Sequence, residues 1–344
     1  MKLMLSKYGL IDLHLHLDGS LSPDWIIHWA QKLAIALPTY DAKELLQFIS
    51  VPKDCSSLND YLKCFDLPLK VLQTPESLAS AVEDLLLQLD KLGLIYAEIR
   101  FAPQLHTRQG MTQEQAVKAA IEGLHRGLEK VALFKANLIC CCMRGNNNQM
   151  ENMETIRVAK QFLNKGIVAA DLAGAEALFP TLDFINIFDY ANQIGVPFTL
   201  HAGEAAGAES VKQALDMGAK RIGHGVRAIE QEDVVKQLSE RKIPLEMCPC
   251  SNLQTRTVNN LGSYPLRTYL KQKLIATLNS DNMTVSKTDV QQEFQLLQQE
   301  YQLTEQEALI LVNNAVQAAF LSEEDKIILK QKLVEKLGTF PFLT

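Results

Sequence analysis

The chain has 344 residues, 34 of them Lys or Arg and 40 Asp or Glu, for a net charge of −6 at pH 7. That balance argues against nucleic acid as a partner. Hydrophobic residues at 47% with 22% charged exclude a disordered chain, and the length suits one large α/β barrel as well as two smaller domains.

The first residues, MKLMLSKYGLIDLHLH, hold no long apolar segment with a small-residue cleavage site, so no secretory signal is expected. No stretch approaches the roughly 18 apolar residues that would cross a bilayer, and a cytoplasmic protein without a membrane partner is expected. Seven cysteines, three of them consecutive at Cys140, Cys141 and Cys142, read as reduced thiols packed as small hydrophobes. The Cys248 and Cys250 pair has no second pair at zinc-site spacing and reads as structural.

Eight short runs rich in Ile, Val and Leu follow in chain order: residues 9–16, 94–102, 136–143, 167–173, 197–201, 221–224, 243–248 and 274–281. Near-continuous hydrophobicity over about six residues is what a parallel strand buried on both faces shows. Helical patterns separate the runs; Val117, Ala120, Ile121, Leu124, Leu128 and Val131 keep a 3.6-residue period behind a Thr112/Gln115 capping box. Strand alternating with helix eight times predicts a closed (β/α)8 TIM barrel. The gap between the first two runs is longer and holds amphipathic pieces at 23–36 and 58–72. An insertion there would overhang the barrel mouth as a lid. Beyond the eighth run, residues 290–301, 304–320 and 323–337 read as extra C-terminal helices, with Thr304 and Glu307 as a second capping box. No repeat or linker interrupts the pattern, so residues 1–344 are expected to form a single domain of open oligomeric state.

Four of the seven histidines, His14, His16, His201 and His224, fall at the C-terminal ends of predicted strands, where barrel enzymes place their sites. His28, His106 and His125 lack companions at ligand spacing and read as surface or core residues. Residues two apart on a strand share a face, so His14 and His16 enter the barrel together, either as half a metal site or as hydrogen-bonded core histidines. Asp281 tips the balance: it ends an apolar run with no basic partner near it in sequence, and a buried unpaired carboxylate is costly. Three imidazoles with one carboxylate suit Zn²⁺. Glu204, three residues after His201 and past Gly203, can swing over such an ion as a general acid. His224, between Gly223 and Gly225, can meet a metal-bound water or be another ligand.

These segments resemble the adenosine deaminase family of metal-dependent amidohydrolases. The resemblance runs in order through His14-Leu15-His16-Leu17-Asp18-Gly19, Asp171-Leu172-Ala173-Gly174, His201-Ala202-Gly203-Glu204, Gly223-His224-Gly225, Cys248-Pro249-Cys250-Ser251-Asn252 and Asn279-Ser280-Asp281. It implies one Zn²⁺ per chain on His14, His16, His201 and Asp281, His16 also lying against the substrate, a small purine nucleoside. It further implies that His224 and Asp281 orient and deprotonate a water that attacks C6, while Glu204 protonates N1 and ammonia leaves to give inosine. Gly174 would meet N3, and Asp18 the ribose; Asp18 could equally cap the helix beginning near Ser22. In two places the chain departs from the family: Asn282 stands where an aspartate usually meets N7, and Ala175 replaces the acid that usually follows Gly174. Related chemistry on adenine or an N6-substituted AMP, or a non-catalytic relative, are the competing readings; a phosphate could call on Arg144, Arg227 or Arg256, each read as a surface charge.

Overall fold

The computed structural model describes residues 4–52 and 54–338. Eight parallel strands form the centre: β1 Ile11–His16, β2 Tyr96–Phe101, β3 Lys135–Met143, β4 Ile167–Ala173, β5 Thr199–Ala202, β6 Arg221–His224, β7 Leu245–Met247 and β8 Ala276–Leu278. They pair in sequence order as two four-stranded halves, β1 to β4 and β5 to β8. The halves meet at two seams. Ala170 N donates to Pro197 O at 2.9 Å, and at the other seam Asp281 N donates to His14 O and His16 N to Asp281 O, both at 2.8 Å. This closes the barrel, as expected.

The strands are apolar throughout because helices cover their outer faces and side chains fill the interior. One cluster of buried residues runs from Leu5 to Leu333. The helix Gln113–Leu128 begins with the expected capping box, Thr112 accepting from Gln115 N, and so does Glu305–Ala318, with Thr304 and Glu307. The C-terminal helices Val290–Glu300, Glu305–Ala318 and Glu323–Leu337 match the reading closely. Phe320, in the turn between the last two, stacks on the Arg221 guanidinium at 4.0 Å and closes the N-terminal end of the barrel.

The segment after β1 is richer than expected. Helices Pro23–Lys32 and Leu58–Leu62 were legible, but Ala42–Ile49 lies between them and Pro75–Lys91 follows. Ser22, not Asp18, caps the first helix, accepting from Trp25 N, so the capping role considered for Asp18 does not hold. All seven cysteines are free thiols, six of them buried. No helix among the described residues is long and apolar enough to cross a membrane.

Candidate active site

The strand tips bring the four histidines and Asp281 together. His16 Nε2 lies 3.2 Å from His201 Nε2 and 3.5 Å from Asp281 Oδ1, and His14 Nε2 lies 3.5 Å from the same oxygen. Tetrahedral ligands about 2.0–2.2 Å from an ion sit roughly 3.3–3.6 Å apart, so these atoms already stand at coordination spacing. His14 Nε2 is buried and has no hydrogen-bond partner among the described residues, an atom left for something else to satisfy. The residues therefore fit a cation. His14, His201, His224 and Asp281 form an alternative set with ligand atoms within 4.8 Å of one another. That set takes His224 in place of His16.

Backbone geometry delivers these side chains. His224 and Asp281 both adopt left-handed conformations, at φ 62°, turning the chain inward as each strand ends. A Cβ at position 223 would stand 3.1 Å from His201 Cα and 3.2 Å from His14 Cε1, so only glycine lets β6 approach the cluster this closely.

Beneath the cluster lies a buried ionic floor that the sequence reading missed. His14 donates from Nδ1 to Glu246 at 2.7 Å, and His201 from Nδ1 to Asp171 at 3.0 Å. Arg100 joins the two carboxylates at 2.8 Å each, and Arg221 bridges Glu246 and Glu98 at 2.6 Å each. Burial alone would raise Glu246, but the guanidinium charges of Arg100 and Arg221 hold it well below the carboxylate range. Asp171 is likewise lowered against its burial, by His201 and Arg100. The signal was present: Glu98 and Arg100 interrupt an apolar strand two residues apart, hence on one face.

Glu204 sits above, its carboxylate 3.6 Å from His224 Nε2. Burial, reinforced by the negative charges of Asp281 and Glu176, raises it well above an ordinary glutamate and favours its protonated form. Its loop hangs on Glu176, which accepts from the backbone N–H groups of Gly203, Glu204, Ala205 and Ala206 at 2.7–3.0 Å. Gly203 turns there at φ 71°. Glu176 thus makes the loop rigid without an acid at Ala175.

A cavity of about 240 Å³ opens over these groups, with Asp18, Gly174 and Asn282 in its wall and Leu58, Tyr61, Leu62 and Phe65 of the insertion across its mouth. Burial raises Asp18 to about 6. Asn282 donates from Nδ2 to Asp281 Oδ1 at 2.7 Å, which with His14 and His16 supplies the partners Asp281 lacked in sequence. Arg144 is not the surface charge expected: it is buried in the cavity wall, where its two terminal nitrogens donate to Phe179 O, Thr181 Oγ1 and His201 O. Arg227 pairs with Glu230 and Arg256 donates to Cys55 O. His106 is buried against Leu72 O, whereas His28 and His125 are exposed, all three away from the cluster.

Known proteins resemble this chain throughout its length. An adenosine deaminase of Haemophilus ducreyi is 64% identical over 95% of this chain and 96% of its own, and one of Clostridium botulinum is 40% identical over 96% and 98%. Among solved structures, adenine deaminase of Arthrobacter aurescens superposes with a TM-score of 0.87 at 28% identity, over 96% of this chain and 99% of that one. An amidohydrolase of Burkholderia ambifaria, solved with bound Zn, gives 0.84 at 17% over 96% and 91%, a likeness of fold. Residues 10–336 match the adenosine deaminase family profile, and the chain belongs to that family of hydrolases.

Proposed function

We propose that the chain removes the 6-amino group of adenosine and 2′-deoxyadenosine by hydrolysis, using one Zn²⁺ held by His14, His16, His201 and Asp281. The observation that carries this reading is the buried Glu204 carboxyl, 3.6 Å from His224 Nε2 at the edge of the cluster of histidines and Asp281. When bound, the ion would lower the pKa of a coordinated water toward 7. The chain's own residues do the rest. Asp281, burial notwithstanding, is kept ionised by its contact with His14 and by the neighbouring histidines, and accepts a hydrogen bond from the attacking water. Glu204 gives its proton to purine N1 as C6 becomes tetrahedral, and ammonia departs. Gly174 N–H meets N3, Asp18 and His16 meet the ribose, and Asn282 donates to N7 through its second amide hydrogen.

The sugar contact favours a nucleoside over free adenine, and the engaged Arg144 disfavours a nucleotide. A soluble cytoplasmic role in purine salvage fits this chemistry. Ammonia release measured on adenosine, 2′-deoxyadenosine, adenine and AMP tests the reading, alongside elemental analysis of protein purified without chelator. Adenosine and its deoxy form should react fastest with about one zinc per chain; preference for adenine, or full activity without metal, overturns it. Replacing N7 by carbon should cost about 1–3 kcal/mol in kcat/KM, the penalty of an unmet buried donor.

A further inference from the structure

Three histidines of the site have a recorded partner on Nδ1, and the partners differ in kind. Glu246 and Asp171 are acceptors, so His14 and His201 carry their proton on Nδ1 and keep the Nε2 lone pair free for an ion. His224 Nδ1 faces Asn252 Nδ2 at 3.1 Å. An amide nitrogen only donates, so here Nδ1 is the acceptor, and a neutral ring must carry its proton on Nε2. Reversing the amide would restore the other tautomer, but Tyr264 forbids it. Its buried hydroxyl donates to Asn252 Oδ1 at 3.0 Å, and reversal would leave that proton without an acceptor among the described residues.

We propose that Asn252, oriented by Tyr264, is a positioning residue that fixes His224 as the Nε2–H tautomer. This excludes His224 from the metal's ligand set and makes it a hydrogen-bond donor to the attacking oxygen. The water's proton is then left to Asp281, and the two roles that the family resemblance gives jointly to His224 and Asp281 separate. Three of the four histidines are thereby sorted, two as ligands and one as donor, by what stands behind each ring.

The inference rests on the deaminase reading, yet the tautomer is measured without turnover, so the two can fail separately. Zinc-loaded enzyme labelled with ¹⁵N-histidine, with His224 assigned by loss of its signals in His224→Gln, should show a protonated Nε2 and a bare Nδ1 at His224. A proton on Nδ1 overturns the proposal. Asn252→Asp keeps the shape but turns donor into acceptor. It should exchange the two nitrogen signals and lower kcat about 10²-fold with KM little changed. Asn252→Ser removes the donor without imposing the opposite tautomer, and should retain more activity than the isosteric aspartate. A residue needed only for packing would give the reverse order, which would sink the idea. Tyr264→Phe should lose only a few-fold in kcat and release part of the His224 population to the other tautomer. Should Asn252→Asp fail to fold, the wild-type and Tyr264→Phe spectra decide the matter alone.

Discussion

The floor of the site and its mouth both bury carboxyl groups, and the two regions treat them oppositely. Below the histidines, Glu246 and Asp171 are held ionised against the cost of burial by Arg100, Arg221 and His201. Above them, Glu204 and Asp18 are pushed up by burial with no Lys or Arg bonded to either among the described residues, Asp18 to about 6 and Glu204 well above its ordinary value. Burial is common to both regions, so it is the bonded partner that decides the charge. The fold thus holds anions where imidazoles need orienting and, on the proposed mechanism, an acid where a purine would need a proton.

The largest way to break the contrast is at the mouth. Glu204→Gln keeps the shape and removes the proton, and should lower kcat by about 10²–10⁴-fold while zinc content is unchanged. Initial rates and elemental analysis on the same sample check both halves of this expectation. At the floor, Glu246→Gln removes the charge shared by Arg100 and Arg221 and weakens the hold on His14 Nδ1. Metal affinity should drop about 10–100-fold. Two buried guanidinium groups lose a partner, so urea unfolding should show a loss of about 3–5 kcal/mol. Retention of both properties would mean that the floor is spectator packing.

A smaller effect is expected where the regions meet. Asn282→Asp sets a second carboxyl against Asp281 Oδ1, where it can donate to N7 only when protonated. KM for adenosine should rise a few-fold, more at pH 8 than at pH 6, with kcat nearly kept. Steady-state rates at the two pH values measure it.

The smallest effect sharpens the rule outside the site. Glu293 is fully buried, accepts from Cys250 N and Thr288 Oγ1, and is raised by burial to about 8. Between the pKa of about 4.3 for an unfolded glutamate and about 8, the native state holds a proton that the unfolded state has lost. Stability therefore falls as pH rises through that window. Glu293→Gln mimics the protonated acid, so its Tm relative to wild type should be higher at pH 8 than at pH 5 by about 5 °C. A pH-independent difference would mean that Glu293 is paired with a cation in solution.

Much of this was legible in the chain, and the limits have physical causes. Strands buried on both faces announce themselves as apolar runs, so all eight were found. The eighth was drawn too long, as 274–281 against Ala276–Leu278, because it was carried across the polar Asn279 and Ser280 to the acid at 281, whereas the strand ends at Leu278 and the backbone turns left-handed at Asp281. His14, His16, His201, His224, Glu204 and Asp281 were identified because polar groups at strand ends stand out. The floor was not, since Glu98, Arg100, Arg221 and Glu246 find their partners on other strands and no local spacing pairs them. Asn252 was seen within its motif but without a role, as its meaning depends on which way an amide faces.

The seam between β1 and the turn after β8 has one further consequence. His14 and His16 lie on the first strand of the barrel and Asp281 just beyond the eighth, and their backbones bond directly where the barrel closes. No N-terminal fragment that stops short of Asp281 can assemble the four ligands; it offers at most histidines. An ion held on the proposed ligands would rivet the first strand to the turn after the eighth, so its capture would double as an inspection that the barrel has closed.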